Sequence, residues 1–70
     1  MEPRQRVGAN IKARRTELGI TQEEAAQRSG IHPVEFGRVE RGTRDMRLST
    51  VTKIAAGLEV AAGELLRGLP

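Results

Sequence analysis

The sequence predicts an all-α domain of five short helices, and three observations lead there. Apolar residues recur at intervals of three, four or seven, as in Val7, Ile11 and Leu18 or Leu48, Val51, Ile54 and Leu58. Helix start and stop residues punctuate the chain in order, with Gly19, Gly30 and Gly42 each closing a periodic segment. No segment alternates apolar and polar residues as a half-buried strand would. Seventy residues suffice for a single domain, residues 1–70, with one small core. That is near the lower size at which a chain folds without staples.

Met1 to Gln5 is polar and expected to fray, with Pro3 a suitable helix opener. From about Arg4 to Leu18, Val7, Ile11 and Leu18 outline an amphipathic helix, Ala9 and Ala13 acting as fillers, and Gly19 closes it. Gly8 inside this helix costs roughly 1 kcal/mol relative to Ala. It marks either a close approach by another helix or a tolerated weak spot.

Thr21 to Gly42 reads as two short helices joined by a glycine. Thr21 suits an N-cap, and Glu24 can reach back to complete a capping box. Ala25 and Ala26 continue the helix, and Gly30 stops it. Pro33 opens the second helix where its missing N–H costs nothing, Ile31 and Phe36 can form a hydrophobic staple, and Gly42 ends it. So short a connection makes the two helices cross steeply. At 100° per residue, Phe36, Val39 and Glu40 share one side. Val34, Gly37, Arg38 and Arg41 share the other, leaving an outer face that is short, basic and unencumbered in its middle.

Thr43 to Arg47 is a polar loop. Leu48, Val51, Ile54, Ala55 and Leu58 then form one apolar stripe, on a helix capped by Ser49 or Thr50. A short fifth helix, near Ala62 to Arg67, carries Leu65 and Leu66 toward the core.

Composition excludes several classes. The chain has no cysteine and one histidine, so neither a disulfide nor a metal site is expected. No nucleophile–base pair or phosphate loop is present, so no catalytic residue, cofactor or small-molecule ligand is expected. Without a signal peptide or a long apolar run, a soluble cytoplasmic protein with no membrane association is the expectation. Twelve Lys plus Arg against nine Asp plus Glu give a formal charge of +3, which is modest. Its distribution says more: Arg38, Arg41, Arg44 and Arg47 recur every three residues, a cluster suited to phosphate.

The ordered set TQEEAA, Gly30 and VERG, flanked by GANIKARRTELGIT and LSTVTKIAAGLEV, resembles the helix-turn-helix of the Cro/C1-type (XRE-like) transcriptional regulators. The resemblance covers most of residues 4–66. It implies a compact five-helix lambda-repressor-like DNA-binding domain, its helix-turn-helix core at 21–42. Arg47 stands where that family usually has Ser, and Gly57 and Glu59 depart from its usual ALG ending. His32 in place of the usual Ser also resembles the small controller proteins of restriction–modification systems.

What the resemblance implies for function is sequence-specific binding of double-stranded DNA by a transcriptional regulator. The base-reading positions correspond to Pro33, Val34, Gly37 and Arg38. Arg38 can donate two bonds to guanine, with phosphate as the alternative, and Val34 can meet a thymine methyl. Gly37 either lets the helix sit deep or simply replaces a Ser. Glu35 faces cytosine, solvent or an arginine partner. Gln22, His32, Arg41, Thr43 and Arg44 are the phosphate candidates, His32 either donating when protonated or acting as a poor cap. Arg15 is expected to pair with Glu40 and tie the first helix to the recognition helix, whereas Arg14 is expected to be solvated. A homodimer on a near-palindromic operator follows, with recognition helices about 34 Å apart. Val60, Leu66 and Leu69 are its interface candidates, unless Leu66 only closes the core. An antitoxin-like or adaptor module, its basic helix binding an acidic protein, is the alternative.

Overall fold

The computed structural model describes residues 1–69 and contains α1 (Pro3–Leu18), α2 (Gln22–Ser29), α3 (Pro33–Arg41), α4 (Leu48–Gly57) and α5 (Ala62–Leu65). No strand occurs among the described residues. The core draws on every helix: Val7 and Ile11, Ala25 and Ala26, Phe36 and Val39, Val51, Ile54 and Ala55, then Leu58 and Leu65. Phe36, the sole aromatic residue, is fully buried. Helix α1 packs against α3 and α5, while α2 packs against α3 and α4.

The start of α1 differs from the expected frayed arm. Pro3 is already helical, and Gln5 Oε1 accepts from the Glu2 N–H at 3.0 Å, as the second half of a capping box. Ala9 and Ala13, expected as fillers, are exposed. They lie about 200° and 240° around the helix from Val7, on its outer side. Gly8, by contrast, is buried against α3. A Cβ built on it would lie 2.5 Å from the Val39 carbonyl oxygen and 2.6 Å from that of Glu40. The close-approach reading therefore holds.

In α2, Thr21 Oγ1 accepts from the Glu24 N–H at 3.1 Å. The Glu24 carboxylate does not return to Thr21 but pairs with Arg28 one turn on, at 3.1 Å. A cation at i+4 outcompetes a neutral backbone donor. Gly30 takes φ 72°, which lets the Ile31 N–H turn back to the Ala26 carbonyl at 3.1 Å. Ile31 then packs, half-buried, on the core beside Pro33, the first residue of α3.

Helix α4 corrects two expectations. Neither Ser49 nor Thr50 caps it: Arg47 is the N-cap and no side chain completes the cap. Ser49 and Thr50 are already inside the first turn, past the position from which a hydroxyl reaches the free N–H groups. Leu48 is 74% exposed, outside the stripe that buries Val51, Ile54, Ala55 and Leu58. Its direction is roughly 70° from the mean of the other four. At the other end, Gly57 is buried in a contact with α2, its hypothetical Cβ 2.5 Å from Ser29 Oγ. The left-handed turn therefore falls on Glu59, at φ 59°, with the Val60 N–H returning to the Ala55 carbonyl at 3.0 Å. Glu59→Gly is expected to raise stability by about 1 kcal/mol, because only glycine takes this turn without steric cost. Urea denaturation of the two proteins checks this; an unchanged or lower midpoint would contradict it.

Arg14 is not merely solvated. Its Nε donates to the Leu58 carbonyl at 2.9 Å and its Nη2 to the Glu59 carbonyl at 3.4 Å, so α1 closes the end of α4. Asn10 acts alike on α5, its Nδ2 donating to the Leu65 and Arg67 carbonyls at 3.0 and 2.8 Å. Helix α5 stops at Leu65, short of the expected Arg67; Leu65 is buried and Leu66 half-buried.

Candidate nucleic-acid interface

Helix α3 is anchored on one side and open on the other. Phe36 and Val39 are fully buried, and the Glu40 carboxylate is buried with them. Arg15 reaches it from α1 with two bonds, Nε to Oε2 at 2.5 Å and Nη2 to Oε1 at 3.2 Å. A third bond to the same carboxylate comes from Gln22 Nε2 at 2.9 Å. Arg15 also donates to the Ile20 carbonyl at 2.9 Å, so one guanidinium ties α1, the α1–α2 turn and α3 together. Glu40 Oε1 and Oε2 are thereby satisfied without water, which a buried carboxylate requires.

On the open side, Pro33, Val34, Arg38 and Arg41 are all exposed. Val34, at 55%, and Leu48 are the large apolar side chains most exposed after Met1. The ion pairs among the described residues engage Arg4, Arg14, Arg15, Arg28, Arg44 and Arg67. None involves Arg38, Arg41 or Arg47. Three uncompensated guanidinium groups therefore lie along the end of α3 and the loop that follows it.

The structure decides between several of the alternatives and corrects others. Glu35 pairs with Arg44, Oε1 to Nη1 at 3.0 Å, the arginine-partner alternative for Glu35. The Thr43 hydroxyl and its N–H both donate to the Arg38 carbonyl at 3.2 Å, so Thr43 closes α3 instead of presenting a free donor. His32 is an effective cap: Nδ1 accepts from the Val34 N–H at 3.1 Å, which leaves Nε2 as the ring nitrogen able to donate. Gln22 has one amide N–H committed to Glu40 and one free. Gly37 is buried, not bare: a Cβ there would lie 3.3 Å from Arg41 Nη1 and 3.6 Å from Gln22 Oε1. Two long side chains cover the middle of the face that the helical wheel leaves open. Val60, Leu66 and Leu69 are half-buried against the chain's own core.

The comparisons with known proteins meet this geometry. Residues 11–65 match the helix-turn-helix family HTH_3. This chain belongs to that helix-turn-helix family. Its members are regulator domains, and the family is not one of enzymes. An uncharacterized HTH-type transcriptional regulator of Sinorhizobium fredii, y4dJ, is 38% identical over 66 residues, 94% of this chain and 86% of the relative. The control protein C.SmaI of Serratia marcescens is 32% identical over 66 residues, 94% of this chain and 79% of its own length. Among solved structures, the restriction–modification controller protein C.AhdI of Aeromonas hydrophila superposes with a TM-score of 0.86 at 34% identity. It covers 89% of this chain and 94% of its own. The helix-turn-helix domain here has no helix among the described residues that is long and apolar enough to cross a membrane.

Proposed function

We propose that this helix-turn-helix chain is a sequence-specific, double-stranded-DNA-binding transcriptional regulator that inserts α3 into the major groove. The observation that carries the reading is the asymmetry of α3. Phe36, Val39 and Glu40 lock one side, while Val34, Arg38 and Arg41 are exposed on the other with both guanidinium groups uncompensated. A helix held this way presents base-reading side chains without reorganising. Arg38 donates to a guanine edge, Val34 meets a thymine methyl beside Pro33, and Arg41, Arg44, Gln22 and His32 bind phosphates. The relatives named as control and controller proteins favour a restriction–modification controller as the narrower role.

One such domain contacts too little DNA for high specificity, so the acting species is a homodimer on a near-palindromic site. Its recognition helices lie about 34 Å apart. Val60, Leu66 and Leu69 remain the apolar candidates for that interface, each with part of its surface still outside the core.

Arg38→Ala and Arg44→Ala separate base reading from positioning. Binding-site selection from random duplexes with Arg38→Ala is expected to relax preference at one position per half-site. Arg44→Ala is expected to weaken all sequences alike and to flatten the salt dependence by about one unit. Equal, sequence-blind losses from both variants would overturn the assignment of Arg38. Salt-insensitive duplex binding by the wild type, with Arg38→Ala abolishing capture of an acidic protein, would favour the adaptor alternative.

A further inference from the structure

Gly37 occupies an unusual place. It lies at the centre of the α3 face proposed to meet DNA, yet it is buried, and a Cβ built on it would meet no core side chain within 4 Å. Its cover comes from two elements. Arg41 Nη1, from one turn on, lies 3.3 Å from the point a Cβ would occupy, and Gln22 Oε1, from the start of α2, lies 3.6 Å from it. A guanidinium and a carboxamide therefore converge over one Cα. The carboxamide is not free to turn: Nε2 donates to Glu40 Oε1 at 2.9 Å, and Glu40 is itself held by Arg15. That bond fixes which end of the amide is oxygen and which is nitrogen, so the unused N–H has a set direction.

We propose that Gly37 is an affinity-determining gap, the seat across which Glu40 aims the Gln22 carboxamide beside Arg41 so that both contact the DNA backbone as one unit. This deepens the DNA-binding reading and rests on it. Residue 37 supplies no group of its own; its missing side chain leaves room for a guanidinium and a carboxamide from different helices at one spot. Glu40 is then a positioning residue for DNA contact as well as an anchor of the fold. A methyl group at 37 meets Gln22 Oε1 at ordinary contact distance and crowds only the far end of Arg41, so the fold tolerates it while the guanidinium must shift away from the carboxamide.

Gly37→Ala tests this without a folding penalty, because alanine is the better helix former inside α3. The probe is a labelled duplex selected by the wild type from a random pool. Four proteins are titrated: wild type, Gly37→Ala, Gln22→Ala with Arg41→Ala, and all three changes together. Gly37→Ala is expected to unfold no earlier than the wild type yet to bind roughly tenfold more weakly, as for one lost charge-assisted contact. Added to the Gln22→Ala, Arg41→Ala pair, it is expected to cost nothing more. Wild-type affinity in Gly37→Ala would overturn the proposal, and so would an equal loss in both backgrounds, since the methyl would then be blocking DNA directly. Failure of the wild type to select any duplex would overturn both this inference and the function it rests on.

Discussion

Arg15→Met is expected to cost about 3–5 kcal/mol, the largest loss from any single change considered for this domain. Met replaces most of the volume, so the loss comes from charge. The Glu40 side chain is only 2% exposed and would keep just the Gln22 amide, while the Ile20 carbonyl would lose its donor. A domain of this size is stable by roughly 4–10 kcal/mol, so the variant sits near the unfolding threshold. The partner change, Glu40→Gln, is expected to cost less. It strands a guanidinium that is 15% exposed, still bonded to the Ile20 carbonyl, and able to reach water. Urea denaturation of both variants gives the ranking. If Glu40→Gln were the more damaging, the buried carboxylate would not be the charge that most needs its partner.

Gly8→Ala is expected to destabilise by roughly 2 kcal/mol, although alanine normally strengthens a helix. Overpacking at a rigid contact costs up to about 3 kcal/mol, against a gain of about 1 kcal/mol in helix propensity. Overpacking wins because the atoms in the way are the backbone oxygens of Val39 and Glu40, which no rotamer change can remove. Gly63→Ala is the control, since nothing lies within 4 Å of the added methyl group. Thermal melts are expected to show a midpoint lower by about 10 °C for Gly8→Ala and unchanged or higher for Gly63→Ala. A similar rise in both would mean that α1 does not press on α3 at Gly8.

The features legible in the sequence are those whose cause is local. Thr21, Gly30, Pro33 and Gly42 bound α2 and α3 through caps that need only the next few residues. The inward turn of Phe36 and Val39 follows from helical period alone. The Glu2–Gln5 box carries a comparable signal, an acid before Pro3 followed three residues on by Gln, and its cause is equally local.

What escaped the sequence depends on distant neighbours. Arg14 is satisfied by carbonyls more than forty positions away, at the end of α4. Nothing in its own helix distinguishes it from a solvated arginine. Leu48 continues the spacing of the α4 stripe, but period cannot tell where a stripe runs beyond its cover. At the interface, the wheel separated the two sides of α3 yet could not show Gln22 and Arg41 lying over Gly37, because Gln22 arrives from another helix. For Glu35 the sequence left an arginine partner open without naming it; Arg44, from the loop after α3, is that partner.

Backbone amide shifts of the isotope-labelled protein, followed by NMR as a selected duplex is added, test the central claim most directly. Residues 34–41, with the first turn of α2, are expected to move most, while α1 and α5 stay near their free positions. Changes concentrated on α1 and α5, with Val34, Arg38 and Arg41 unmoved, would show that α3 is not the helix that meets DNA.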